Sequence, residues 1–198
     1  ENALDTNKDG NDLAPGTVTG SNPTSTAETV TGTLTGNTAG GVGPMTYTLQ
    51  SSATGTYGQL QLNANGQYTY TLTSAPKTTP GADNGPNDVL GETFTYQVKD
   101  SLGNTTTGSI KITIVDDVPT ATADVRSGVE GDTITLNVLT NDVLGADGGA
   151  AGGAVVGVQT TGNPLQNVPT NSSTGINGLY GTLTLSADGT AVYKSTPN

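Results

Sequence analysis

A 17-residue pattern occurs twice in this chain, and it limits the possible folds more than any other feature. TGTYGQLQLNANGQYTY begins at Thr54 and NGLYGTLTLSADGTAVY at Asn177, an offset of 123 residues. The offset aligns Gly55 with Gly178, Tyr57 with Tyr180, Gly58 with Gly181 and Leu60 with Leu183. It also aligns Leu62 with Leu185, Gly66 with Gly189 and Tyr70 with Tyr193. A period this long indicates tandem domains, because solenoid repeats run roughly 20–50 residues. In each copy Leu alternates with Gln or Thr, the period of a strand with one apolar face. Asn65-Gly66 and Asp188-Gly189 supply the turns, and an Asx-Gly pair suits a type I′ turn, whose two central residues both take positive φ. Each copy therefore predicts a β-hairpin.

The first copy continues into ETFTYQVKD, where Phe94, Tyr96 and Val98 alternate with polar residues, then a turn SLGN, then TTTGSIKITIVDD with Ile110, Ile112 and Ile114 in alternation. These predict a second hairpin. ETVTGTLTG and PMTYTLQ upstream are two more alternating segments, so the first domain reads as about seven short strands with no helix, the pattern of a β-sandwich. The boundary falls at Val115-Asp116-Asp117-Val118-Pro119, since Pro cannot donate to a ladder. Residues 1–118 form one predicted sandwich and 119–198 a second. The second is expected to use ATADV, DTITLNVLTND, AVVGVQTTG and the repeated hairpin, with GADGGAAGGA and NPLQNVPTNSSTGING as loops. Counterparts of ETFTYQVKD and GSIKITIVDD are missing from it, so it is expected to lack its last two strands and to leave a sheet edge and part of its core uncovered.

Composition narrows the chemistry. The 198 residues carry 17 acidic and 6 basic side chains, a net charge of −11, so phosphate-binding partners such as nucleic acid are excluded and divalent cations are the natural counterions. Cys and His are absent, which removes disulfides, the usual zinc ligands and any His-based triad. No apolar run approaches the roughly 20 residues of a membrane span, so membrane insertion is not expected. A carboxylate pair of the glycosidase kind would need an aromatic-lined cleft. The chain has no Trp, seven Tyr and one Phe. Most Tyr fall at alternating strand positions and read as core or cross-strand partners rather than sugar-stacking platforms. The chain is expected not to be an enzyme.

GTYGQLQLNANGQYTYTLT, FTYQVKDSLGNTTTGSIKITIVDDVPTA and LNVLTNDVLGADG together resemble the tandem immunoglobulin-like (VCBS or cadherin-like) repeats of large, type-I-secreted RTX adhesins of bacteria. The resemblance covers most of residues 45–147 and the 177–194 hairpin. It implies two all-β, immunoglobulin-like sandwiches in tandem and an extracellular place on a Gram-negative cell surface. It further implies a monomeric extender, rigidified by Ca²⁺, that serves cell attachment or biofilm formation. The implied partners are neighbouring repeats of the same chain and host-cell or biofilm surface ligands. In a minority of such repeats a sugar- or peptide-binding module is inserted into a split sandwich, and the missing strands of the second domain fit that arrangement or simple truncation.

The candidate metal ligands are all carboxylates. Asp5, Asn7 and Asp9 precede Gly10 at alternate positions, as in the opening of an EF-hand loop, but the twelfth position is Gly16 rather than Glu and no helix flanks it. A solvated turn is the competing reading. In an immunoglobulin-like sandwich the last strand ends at the pole facing the next domain, which puts Asp116 and Asp117 at the junction. Asp142 and Asp147, in the loop TNDVLGADG, are expected to approach the same place. Clustered carboxylates repel one another unless a cation neutralises them, whereas Asp is also common at ordinary turns. Asp83 and Asp88 lie in the long loop before ETFTY, expected at the lower pole of the first domain, which faces the second. Asp100, in KDSLGN, is expected beside Glu1, in a further site or in a plain Asx turn.

Overall fold

The computed structural model describes residues 1–6, 16, 18–76 and 89–197. Every regular element among them is a strand, and the fold is the expected all-β, immunoglobulin-like sandwich class. Contacts separate the chain into two compact units, Glu1–Val118 with Gly145–Asp147, and Pro119–Leu144 with the residues from Gly148 onward. The short Gly145–Asp147 segment thus groups with the first unit, not with the residues that flank it in sequence.

The first unit contains β1 (Thr29–Thr33), β2 (Thr46–Leu49), β3 (Gly58–Leu62), β4 (Gln67–Leu72), β5 (Val89–Lys99) and β6 (Thr105–Val115). They form two antiparallel sheets, β1-β4-β3 and β2-β5-β6. The apolar members of each alternation turn inward. Leu60, Tyr70 and Leu72 come from one sheet, and Tyr47, Phe94, Tyr96, Val98, Ile110, Ile112 and Ile114 from the other. Lys111 and Thr113, between the buried isoleucines of β6, face solvent. The Tyr70 and Phe94 rings meet across the core with centroids 5.9 Å apart, and Tyr47 meets Tyr96 at 6.2 Å.

Both predicted hairpins of this unit form, with Leu60 opposite Tyr70 and Phe94 opposite Ile110. The turn differs from the type I′ expectation. Gly66 has φ of 88°, but Asn65 is not in the left-handed region. The chain closes by donation from Gly66 N to Asn63 O at 2.8 Å, while the Asn65 side chain accepts from Gln67 N at 3.0 Å. The loop is thus one residue longer than a two-residue turn, and Asx supplies a side-chain acceptor instead of a positive φ. Asp188-Gly189 repeats the arrangement, with Gly189 N donating to Ser186 O at 3.0 Å and Thr190 N to Asp188 Oδ1 at 2.9 Å.

The second unit contains β7 (Thr133–Asn137), β8 (Gly157–Val158), β9 (Gln166–Asn167), β10 (Ser173–Asn177), β11 (Gly181–Ser186) and β12 (Thr190–Ser195). Its main sheet runs β10-β11-β12-β7, with β8-β9 a separate pair. Ile176, Leu183, Tyr193 and Ile134 lie in one cross-strand row, and Thr174, Leu185, Ala191 and Leu136 in the next. The second row is covered, because Val155, Val158 and Val168 pack with Leu185 and Ala191. The first row is only half-buried at Leu183, Tyr193 and Ile134.

Two expectations for this unit fail. ATADV forms no strand, and the only pairing there is a bridge from Thr120 to Val143. The segment NPLQNVPTNSSTGING, read as a loop, contains β9 and β10. Ile176 is the one large buried side chain of β10, so the segment has no alternation to detect and its strand character comes from pairing with β11.

Candidate metal centre

β6 ends at Val115, and the next residues turn back on the start of the chain. Glu1 N donates to the Val115 carbonyl at 2.8 Å, and Asp117 N donates to Glu1 Oε2 at 3.2 Å and to Asp116 Oδ1 at 3.0 Å. Asp147, on the segment that belongs to this unit, completes a group. One carboxylate oxygen each from Glu1, Asp116 and Asp147 lies within 4.8 Å of the others. A calcium ion holds its oxygens at about 2.3–2.6 Å, so oxygens spaced this way can share one ion.

The electrostatics of the group are unfavourable without a cation. Asp116 is 8% exposed, and its Oδ2, like Oε1 of Glu1, is buried and accepts no hydrogen bond among the described residues. A buried carboxylate oxygen without a donor costs free energy that a cation can recover. Burial first, and then the proton-sharing contact with Asp116 and the Asp116 charge, push the Glu1 carboxyl up to about 8 against the lowering effect of the Asp117 amide.

Asp117 has a different role. Its Oδ2 accepts from Ser21 N at 2.9 Å and Ala146 N at 3.0 Å, and its Oδ1 from Ser21 Oγ at 2.6 Å. Burial alone would raise its carboxyl, but these hydrogen bonds hold it below the ordinary carboxylate value. Asp117 therefore ties the 145–147 segment in place beside the cluster. Gly145, with φ of 79°, permits the approach, since a Cβ there would stand 2.9 Å from Asp117 Oδ2. Ser21 and the Ala146 amide carry no charge pattern and cannot be found by reading for acids.

The other expected ligands are elsewhere. Asp142 Oδ1 accepts from Thr122 N at 2.7 Å within the second unit. Asp5 is half-buried and outside the clustered oxygens. Asp9, Asp83 and Asp88 lie outside the described residues. Asp100 is not beside Glu1, a correction to the expectation. It sits at the β5–β6 turn, and the eleven residues of β6, rising about 3.3 Å each, separate it from the Glu1 pole. There Asp100 accepts from Leu102 N, Asn104 N and Asn104 Nδ2 at 2.8–2.9 Å, and from Val42 N at 3.3 Å. The Asn104 side chain, aided by the Asn104, Val42 and Leu102 amides, holds its carboxyl below the ordinary range against burial. It is an Asx-type loop brace.

Two buried carboxylates were not anticipated, Glu28 just before β1, 5% exposed, and Glu92. Glu92 of β5 is 8% exposed and accepts from the Tyr70 hydroxyl at 2.7 Å and from Tyr57 N at 2.5 Å. It lies at an alternating position outside the apolar set, which is the only sequence signal it gives.

Comparison with known proteins places this architecture. Residues 11–113, more than half of the chain, match the family model described as bacterial Ig domain. A stretch of 97 residues, 48% of the chain, is 38% identical to the calcium-binding lectin RapA2 of Rhizobium johnstonii (strain DSM 114642 / LMG 32736 / 3841), of which it spans 39%. No solved structure matches the chain.

Proposed function

We propose that this chain, which belongs to the bacterial Ig domain family, is a calcium-stiffened structural segment of a secreted bacterial surface adhesin, serving attachment or biofilm formation rather than catalysis. The observation that carries the reading is the clustering of the Glu1, Asp116 and Asp147 carboxylates, with Asp116 Oδ2 buried and accepting no hydrogen bond among the described residues. These residues fit a hard cation that prefers oxygen, and the strongly acidic composition, without Cys or His, suits no softer metal. Calcium there would join the start of the chain, the end of β6 and the 145–147 segment, three stretches far apart in sequence. The calcium-binding lectin above, matched over part of its length, supports the same cation.

The test is thermal unfolding in millimolar calcium and in chelator. Calcium at 100 times its dissociation constant adds about 2.7 kcal/mol. Asp116→Asn should abolish the difference, whereas Asp142→Asn should preserve it. Identical melting of the parent in both buffers refutes the site. The lectin similarity also favours a second reading, in which the segment scaffolds or contributes saccharide binding. Calcium-dependent retention on a glycan array would favour that role over a purely structural one.

A further inference from the structure

The chain carries one sulfur atom, and it sits under a glycine-rich loop. Cys is absent and Met45 is the only Met. Met45 directly precedes β2, is half-buried and packs against the first core. The loop before it runs from Gly36 to Pro44, and Gly36, Gly40, Gly41 and Gly43 all take positive φ, between 73° and 92°. Glycine costs the most backbone entropy to order, so a loop of this kind keeps its place only through contacts made from outside it.

A polar and an apolar contact hold it in place. Val42 makes the polar one. Its N donates to Asp100 Oδ2 at 3.3 Å, and its carbonyl accepts from Ser101 N at 3.0 Å and from Ser101 Oγ. Met45 makes the apolar one. Its methyl lies against Gly41, where a Cβ would clash with it and would stand 3.4 Å from the sulfur and from the Asp100 Cβ. Met45, Gly40, Gly41 and Val98 line a cleft of about 180 Å³ beside the Asp100 turn, together with Asn104 and Thr105. A cleft of that size has room beside the sulfur for a molecule as small as hydrogen peroxide.

We propose that Met45 is an oxidation site, at which hydrogen peroxide converts the thioether to a sulfoxide and so releases the Gly36–Pro44 loop from the Asp100 turn. The sulfur attacks one peroxide oxygen and the O–O bond breaks. That oxygen stays on the sulfur, its proton passes to the departing hydroxide, and water leaves. The sulfur is oxidised and the peroxide reduced by the same electron pair. The product is a polar, chiral side chain in place of a flexible apolar one. The sulfoxide dipole is less stable packed against Val98 and Gly41 than hydrated, so the side chain turns to water and Gly41 loses its support. Asp100 keeps its bonds from Leu102 N, Asn104 N and Asn104 Nδ2, so the turn stays while the loop leaves. A methionine sulfoxide reductase reverses the switch. The inference goes beyond the calcium reading and does not depend on it.

The probe is hydrogen peroxide applied to the full chain, with mass spectrometry to count the oxygen gained and hydrogen exchange to follow the loop. We expect one oxygen on Met45 and exchange of the Gly36–Gly43 amides faster by about tenfold, the scale set by burying an unpaired polar group. The amides of Leu102, Gly103 and Asn104 should not change. Sulfoxide reductase should restore the parent exchange. Met45→Leu, which conserves volume, should exchange as the parent does and ignore peroxide. Met45→Gln, polar and of similar length, should exchange fast without peroxide. A Met45 that stays unoxidised at peroxide concentrations that fully oxidise an unfolded peptide of residues 36–50 overturns the proposal. So does oxidation that leaves loop exchange unchanged, or equal acceleration in peroxide-treated Met45→Leu.

Discussion

The Tyr70 hydroxyl donates to Glu92 Oε2 at 2.7 Å across the first sandwich, linking β4 to β5 through a buried carboxylate. Tyr70→Phe removes the donor and leaves Glu92 buried with one backbone partner. It should cost about 1–3 kcal/mol in urea unfolding. Tyr193→Phe, at the equivalent repeat position, should cost far less, because its hydroxyl meets no carboxylate among the described residues. Equal losses for the two variants would contradict the assignment.

The Glu1 carboxyl makes the cation-free protein pH-dependent. Its value rises from 4.5 to about 8 on folding, so the folded state holds that proton more tightly. The stability this gives is fully present below pH 4.5 and is lost as pH rises through about 8. Asp117 acts with the opposite sign in another window, stabilising above its unfolded value of 3.8 and losing that contribution as pH falls through its lower folded value. Urea unfolding in chelator should therefore weaken between pH 5 and 8, and saturating calcium should remove the decline by displacing the proton. A flat profile in chelator would contradict the Glu1 assignment.

Gly145 and Gly148 form a matched pair. Both have left-handed φ, 79° and 70°, but only at Gly145 would a Cβ press on Asp117, while at Gly148 nothing lies within 4 Å. Each substitution to Ala should lose about 1–2 kcal/mol to backbone strain. Only Gly145→Ala should also weaken calcium binding, read by calorimetry. Loss of calcium affinity in both would place the cause in the backbone rather than in the Asp117 contact.

Asp100→Ala should lower the melting temperature by releasing the 100–104 turn. Its calcium-induced shift should match that of the parent, because β6 separates this turn from the Glu1 pole. A lost calcium response would mean that Asp100 serves the metal after all.

The strands of the first unit were legible because Phe94, Tyr96, Val98 and the three isoleucines of β6 alternate without interruption. β10 was not, since its pairing energy comes from the partner strand and only Ile176 marks its inner face. Within the acidic group, the approach of Asp116 to Glu1 depends on how the chain start folds against the end of β6, which no local spacing encodes. The Asp117 contacts with Ser21 and Ala146 are long-range and neutral on the donor side, so charge reading cannot reach them. Placing Asp100 beside Glu1 assumed a shared pole, and the register of β5 with β6 puts them at opposite ends.

The near-identity of the two repeated hairpins has a kinetic consequence. β3–β4 and β11–β12 share the same backbone closures and the same Gly66 and Gly189 turns. The β5–β6 hairpin closes through a short turn and can form early. An unfolded chain then presents it with two hairpins of one design, one leading to the native first sandwich and the other to a misassembled chain, the characteristic failure of tandem repeats. Refolding should thus show a slow phase that Leu183→Lys, in the second hairpin alone, suppresses.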